Sequence, residues 1–579
     1  MTSGPPPGLL GRLEHEAAHE IVLLERRAVQ RHLLPHGFLR AATTRLRTLP
    51  PFRLAVVLTV TTGLPVSVFA LPVAGAQIGA LATLVVLLVV GAGVTLTMAA
   101  VAEAVSRSVS VRYDGGFLGR LFADLLGRRA SGVFAPLTAL RTSLSLLATW
   151  IALSLSLATV TGVPREAWAI AAGVLILATL ARGSAAGFTT VALAGTVSAV
   201  LLVVVALIAL TALGEGDLVR GAGRTSTAEA LGAVAGVTVM QFIGTVYVVG
   251  VGRSVLPADP SGAALIRGSA VGTAVVTALS ALWLVAVAGA VPPGVLLDER
   301  GTGLAELAEA AGPAVTVLGT ALAVLLLGLG TQRQAMAVYA FARERLDHPW
   351  AAGIPVVALF ALAEMLLGLG DVSFSDLVTV AGVLTNFAVA GVIPLLLAAA
   401  TRRKGELPVS GAVGLAGRPA VVIGGCAVCI VALGFFAVAG FADPVPRLGA
   451  LIVGVGLLAG CIALVRAGTF APRVVLGLLC EGPSRRLFAL AATRPFGPGG
   501  DGRRKFTGDQ AWALEVWGRE IGPDGRAGPL PARVELRRGD AAPQRSDLTL
   551  TGGDAFLPAG PGDWTARFAP VHAGRDDRA

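Results

Sequence analysis

Apolar stretches of about 20 residues recur along this chain from residue 54 to residue 466, divided by short polar or charged connections. Each stretch is long enough to carry a helix through a hydrocarbon core of roughly 30 Å. The spans run approximately over 54–74, 79–101, 136–160, 167–181, 187–213, 228–250, 264–291, 314–341, 351–369, 376–399, 419–441 and 448–466. Twelve spans place both tails on the same side. The pattern changes after residue 482. The stretch PFGPGGDG, Pro495 to Gly502, reads as a linker by its Gly and Pro content. Beyond it, the alternating runs ALEVWGREI, ARVELRRG, DLTLTGG and DWTARFAP are separated by Gly, Pro and Asp turns, which predicts a small β-rich domain. The expected organisation is an all-α polytopic membrane protein: a leading segment over 1–53, a transmembrane domain over 54–482, a linker over 483–502 and the β-rich domain over 503–579.

Composition agrees. Mean hydropathy is +0.76, and only 14% of residues are charged, which excludes a soluble globular protein of this length. The apolar residues are mostly Ala, Leu, Val and Gly, the small and aliphatic set that lets membrane helices approach closely. A net charge of +10 would suggest nucleic acid binding in a soluble chain. Here the positive charge lies in the tails and in alternate short loops. With the leading segment inside, Arg107, Arg112, Arg120, Arg128, Arg129, Arg182, Arg253, Arg267, Arg343, Arg345, Arg402, Arg403, Lys404 and Arg418 face the cytosol. Only Arg165, Arg220, Arg224, Arg300 and Arg447 face outward. That bias is the positive-inside rule, and no nucleic acid partner is implied. The first 50 residues carry no signal peptide and read as a basic, partly amphipathic helix near the membrane surface. The location expected is the cytoplasmic (inner) membrane, multi-pass, with both termini cytosolic and the β-rich domain inside.

No enzyme chemistry stands out, and no cofactor or metal is called for. Cys426 and Cys429 have C-x-x-C spacing, but within AVVIGGCAVCIVALGFF they read as small buried hydrophobes, as do Cys461 and Cys480. The motif HEAAH (His15, Glu16, His19) has the spacing of a helical zinc protease site but neither a third ligand nor a cavity. His32 and His36 share the same i, i+4 spacing. No phosphate-binding loop of the G-x-x-x-x-G-K-[ST] form is present, so this chain has no ATP drive of its own. Basic residues cluster in the terminal domain at Arg503, Arg504, Lys505, Arg537 and Arg538, as solvated surface or as a contact for anionic lipid.

The first span, TVTTGLPVSVFALPVAGAQIG, is broken by Gly63, Pro65 and Pro72. Proline removes a backbone donor and clashes with the preceding turn. In lipid, freed backbone groups are tolerated only where they face protein or a water-filled cavity, so the break points to a solute site near the midplane or to a kink used for packing. Five stretches carry a resemblance: FALPVAGAQIG followed by a long helix ending VAEAVSR, GGFLGRLFADLLGRR (115–129), LPADPSG (256–262), YAFARERL (339–346) and LVTVAGVLTNFAVAGVIPLLLAAATRR (377–403). In this order and spacing the chain resembles the amino acid–polyamine–organocation superfamily, closest to its amino acid/auxin permease branch, over roughly residues 54–466.

The resemblance implies a five-plus-five inverted-repeat transporter fold with discontinuous spans 1 and 6. It implies a substrate site at Thr62, Gly63, Val66 and Ser67 in span 1 and at Phe242, Gly244, Thr245 and Tyr247 in span 6, within GVTVMQFIGTVYVVGVG. Where the family holds a carboxylate on backbone amides of a Gly-x-Gly break, this chain has Pro65-Val66-Ser67, and Pro65 has no amide to offer. Gln241 and Asn386 are further candidates, for freed backbone or for substrate. Arg333, in GLGTQRQAM, lies ten residues before Arg343, about 15 Å from the cytosolic end of its helix. Such a residue faces a partner or a cavity. In sodium-coupled relatives of this fold, span 8 helps form a sodium site against span 1, so Arg333 is a candidate cation surrogate. An anionic-substrate ligand and a structural ion pair are the alternatives. Glu364 is expected at the outer interface, with a proton-carrying role as the alternative, and Arg141 is expected to snorkel from the start of span 3.

The function expected is secondary transport of amino acids or related organic amines by alternating access, proton-coupled or by exchange and sodium-independent, with a small-molecule substrate and the bilayer as partners. The alternative is a non-transporting sensor or scaffold that signals through its C-terminal domain.

Overall fold

The computed structural model describes residues 48–570, apart from short stretches at 109–110, 112–117, 162, 182–183, 215–217, 224, 299–301, 344, 347, 370–373, 405–408 and 471–473, and apart from most connections between strands beyond residue 481. The expected leading segment, with its histidine pairs, falls outside the described residues except for its last few positions.

Among the described residues, ten helices are long and apolar enough to cross a membrane, and the bent pair Pro51–Gly63 with Val66–Gly75 makes eleven. Helix Arg165–Ala181 has 17 residues, about 25 Å of rise, and completes the expected twelve. In order, span 1 is the bent pair. Spans 2 to 5 are Ala80–Arg107, Arg128–Thr161, Arg165–Ala181 and Ser184–Ala209. Span 6 is Thr227–Val255, interrupted at 241–247. Spans 7 to 9 are Ala263–Ala290, Pro313–Arg343 and Pro349–Leu369. Span 10 runs from Phe374 to Lys404 through a π-helical stretch, Gly382–Val392. Spans 11 and 12 are Pro419–Val438 and Pro444–Arg466.

Spans 1–5 and 6–10 form two inverted repeats, and the packing shows it. Span 1 lies on span 7 as span 6 lies on span 2, span 8 packs on span 5 as span 3 packs on span 10, and spans 3 and 8 pack on each other. Short helices precede the third span of each repeat: Leu118–Leu126 before span 3, and Pro293–Asp298 with Leu304–Ala311 before span 8. An odd number of spans per repeat inverts the second relative to the first. Spans 6 and 10 bury 83% and 78% of their most apolar windows, whereas spans 9, 11 and 12 bury 22% each. Spans 11 and 12 pack on each other and on the π-helical stretch of span 10, beside the ten spans of the two repeats.

Local chemistry accounts for the boundaries. Asp259 caps span 7: its Oδ2 accepts the Ala264 amide at 2.6 Å, and its Oδ1 accepts the Ser261 hydroxyl at 2.6 Å. The helix Leu118–Leu126 buries Leu118, Leu121, Phe122 and Leu125. That one-sided burial is what its helical spacing of apolar residues predicts. Small residues bring spans 6 and 10 into backbone contact: a Cβ at Gly236 would sit 2.7 Å from the Thr379 carbonyl, and one at Gly382 would run into the Gly236 carbonyl.

Among the described residues, nine strands follow span 12, β1 Val474–Glu481 to β9 Trp564–Pro570. The intermediate strands are β2 Arg486–Thr493, β3 Arg504–Phe506, β4 Ala513–Ile521, β5 Ala527–Gly528, β6 Leu530–Arg538, β7 Gln544–Leu550 and β8 Ala555–Pro558. They form one sheet in the order β2-β1-β4-β5, with β8 paired to β4, and a second in the order β3-β9-β6-β7. Regular β structure thus starts at Val474, ahead of the boundary expected at 503. The run VVLGLLC in β1 is as apolar as a span end and reads as one until its pairing with β2 and β4 is known.

Candidate functional site

The break in span 1 follows from Pro65. The helix holds as far as the Leu64 amide, which donates to the Val60 carbonyl at 2.8 Å. The Thr61 carbonyl would next accept from residue 65, and proline has no N–H. Leu64 and Pro65 are extended (ψ 115° and 142°), and the two halves meet at 61°. The stranded carbonyls carry the negative end of the helix dipole. Arg333, on span 8, fills the gap: Nη1 donates to the Thr61 carbonyl at 2.7 Å and the Thr62 carbonyl at 2.8 Å, and Nη2 donates to the Leu64 carbonyl at 2.9 Å. Arg333 is 3% exposed. A guanidinium thus occupies a nest of three carbonyls at a helix C-terminus, the arrangement that suits a bound cation.

Span 6 is interrupted more gently. Gln241 ends the first half, Phe242 departs from helical geometry (φ −105°, ψ 65°), and a 3₁₀ turn over Ile243–Val246 leads into Val248–Val255. The two breaks touch: a Cβ built on Gly244 would lie 3.7 Å from the Gly63 Cα. Gln241 ties them together, its Nε2 donating to the Ser67 carbonyl at 2.8 Å. Asn386, in the π-helical stretch of span 10, donates through Nδ2 to the Val239 carbonyl. Both amides therefore add a side-chain donor to carbonyls at the edges of the breaks that already accept from backbone, Ser67 from Ala70 and Val239 from Phe242. A π-helical segment at such a junction is the usual signature of a functional position.

A small cavity lies against the breaks, lined by Thr59, Gly63, Gln241, Phe242, Gly244 and Thr245 among others. Of the residues expected from sequence, it gathers Gly63, Gln241, Phe242, Gly244 and Thr245. Thr62 is spent elsewhere: its hydroxyl donates to the Leu58 carbonyl at 2.6 Å and its own carbonyl serves Arg333. Val66 packs against Gly330 of span 8. Among the described residues, Ser67 Oγ, Thr245 Oγ1 and the Tyr247 hydroxyl are buried without a hydrogen-bond partner.

One sequence expectation changes. Arg141 does not snorkel: it is 0% exposed, and its Nε donates to Asn386 Oδ1 at 3.0 Å. Span 3 begins at Arg128 rather than 136, so Arg141 lies about 20 Å along its helix instead of about 8 Å. The missed signal was the amphipathic RRASGVFA, which continues the helix on its cytosolic side. Glu364 is partly buried against span 3, accepting from Trp150 Nε1 at 2.8 Å and from Ser154 Oγ at 3.3 Å. Among the described residues, no group of three or more His, Cys, Asp or Glu side chains is placed to hold a metal ion.

No protein-family model matches this sequence, and no curated protein is significantly similar to it. Solved structures do match. A mutant of the Eremococcus coleocola manganese transporter aligns with a TM-score of 0.51 at 14% identity, covering 75% of this chain and 96% of that one. A second mutant of the same transporter gives 0.50 at 14% identity, covering 75% and 97%. The nucleobase-cation-symport-1 family transporter Mhp1, closed with bromovinylhydantoin bound, gives 0.47 at 13% identity, covering 72% and 93%. At such identities the likeness to the manganese transporter is one of fold. The chain is a multi-pass membrane protein with a five-plus-five inverted-repeat transporter architecture.

Proposed function

We propose that this chain is a secondary transporter that moves amino acids or related organic amines across the cytoplasmic membrane by alternating access, driven by protons or by exchange and independent of sodium. The observation that carries the reading is Arg333 seated on the Thr61, Thr62 and Leu64 carbonyls. A covalently attached, permanently charged group fills the cation nest at the broken end of span 1. No sodium ion needs to bind there for span 1 to close on span 8. The solute seat is the cavity between the breaks, with Gly63, Gln241, Phe242, Gly244 and Thr245 as its walls and Ser67, Tyr247 and Asn386 at its margin. Both termini and the strand domain face the cytosol, in keeping with the arginine bias of the loops.

Uptake by purified protein in liposomes tests the reading. Pooled radiolabelled amino acids and polyamines are offered in sodium-free buffer, with and without an imposed pH gradient. Uptake in the absence of sodium supports it, and uptake that appears only when sodium is added removes the role given to Arg333. A second reading, a sensor with a permease-like fold, is favoured by the two-sheet domain after span 12. Deleting residues 471–579 separates the two, since a transporter keeps uptake and a sensor loses its output.

A further inference from the structure

Arg141 is a second guanidinium inside the spans, and the cation nest makes no use of it. Its Nε–H is committed to Asn386 Oδ1 at 3.0 Å. Asn386 is held in that orientation because its Nδ2 is bound to the Val239 carbonyl, two residues before the break in span 6. The other end of Arg141 is unanswered: among the described residues, neither Nη1 nor Nη2, both buried, has a hydrogen-bond partner. Arg333 shows the contrast, with both terminal nitrogens on carbonyls. Glu103 is taken by Arg107 and Arg402, and Glu364 by Trp150 and Ser154, so neither neutralises Arg141. An unpaired guanidinium withdrawn from water is among the most unfavourable groups a membrane core contains. Such a group persists where a partner arrives during function.

The surroundings fit one partner chemistry. Ser145, one turn further along the same face of span 3, has a buried, unpartnered hydroxyl. So does Tyr247, whose ring is close enough to interact electrostatically with both Arg141 and Arg333. Two parallel N–H donors with hydroxyls beside them match a carboxylate, which takes both terminal nitrogens of the fork at once.

We propose that Arg141, with the Ser145 and Tyr247 hydroxyls, is the subsite for the carboxylate of the transported solute. The solute is then a carboxylate-bearing amino acid rather than a bare amine, an inference that rests on the transporter reading above. Arg141 is sealed from solvent in this structure, so the carboxylate reaches it when the spans packed around it part.

Full-length protein in detergent micelles tests this without requiring transport. The thermal unfolding midpoint is followed against a panel of amino acids, the decarboxylated amine of each, and chloride alone. In the wild type, at least one amino acid raises the midpoint and its amine does not. Arg141→Lys keeps the charge but loses the fork, and needs about tenfold more of that amino acid. Arg141→Met responds to none and, relieved of an unpaired buried charge, unfolds at a higher temperature than ligand-free wild type. Should Arg141→Met fail to fold, the Arg141→Lys titration decides. The proposal is overturned if amines stabilise as well as amino acids, if chloride accounts for the shift, if no panel member binds, or if Arg141→Lys binds like the wild type. Uptake in liposomes is scored separately. Amine uptake that survives Arg141→Lys keeps the transporter and removes the subsite. Carboxylate binding that depends on Arg141 without any uptake keeps the subsite and removes the transporter.

Discussion

At the scale of single residues, the two buried arginines differ in what answers them. Arg333 makes three charge-assisted hydrogen bonds to a helix end that proline left open. Removing its head group strands those carbonyls, so Arg333→Met lowers stability by about 1–3 kcal/mol, read as a drop in the thermal midpoint. Arg333→Ala vacates the nest. In that variant sodium chloride raises the midpoint and potassium chloride does not, whereas the wild type responds equally to both. A sodium response in the wild type would remove the surrogate role. Gln241 shows the neutral version of the same physics. Gln241→Leu leaves the Ser67 carbonyl without its side-chain donor and lowers stability by about 1–3 kcal/mol, again read from the midpoint.

At the scale of elements, the discontinuous spans hold together because glycine lets backbones meet. The Gly236–Gly382 contact joins spans 6 and 10 next to the π-helical stretch that carries Asn386. Gly382→Ala therefore forces two backbones apart and destabilises by about 1–3 kcal/mol. Gly424, in span 11, has open space where a Cβ would go, so Gly424→Ala is neutral or stabilising by up to about 1 kcal/mol. A paired thermal melt checks both, and equal effects would mean that the close approach of spans 6 and 10 does not matter. Span 3 illustrates how an element's length changes a residue's meaning. With its start at Arg128, the same Arg141 that reads as interfacial from sequence becomes a residue of the protein interior.

At the scale of the whole molecule, the contact pattern of one repeat is repeated by the other, and spans 11 and 12 pack on the π-helical stretch of span 10. The strand domain follows as a separate sheet system, and β1 pairs with β4 across the expected linker. The position of a truncation therefore matters. Removing 471–579 takes whole sheets and leaves the membrane domain's unfolding free energy within about 0.5 kcal/mol of the full chain. Removing 496–579 leaves β1 and β2 with an unpaired, apolar edge, which lowers the monomeric yield through aggregation. Size-exclusion profiles of the two deletions check this, and identical profiles would mean the pairing is dispensable.

Hydrophobic period and length determined from sequence that the chain spans a membrane about twelve times, because runs of about 20 apolar residues cross a lipid core as helices whose backbone hydrogen bonds are all internal. Gly63 and Pro65 marked the break in span 1, and the depth of Arg333 marked it as partnered, because both violate what a plain span tolerates. The tertiary structure alone decided which partners those violations meet. That Arg333 answers the carbonyl Pro65 abandons joins residues 272 and 271 positions apart in the chain, a distance no local pattern encodes. That Gln241 and Asn386 serve backbone, and that Arg141 is buried beside Asn386 with its fork unpaired, likewise depend on how spans 3, 6 and 10 pack. Local sequence fixes the energy of a broken helix or a buried charge, and only the packing of distant spans supplies the groups that offset it.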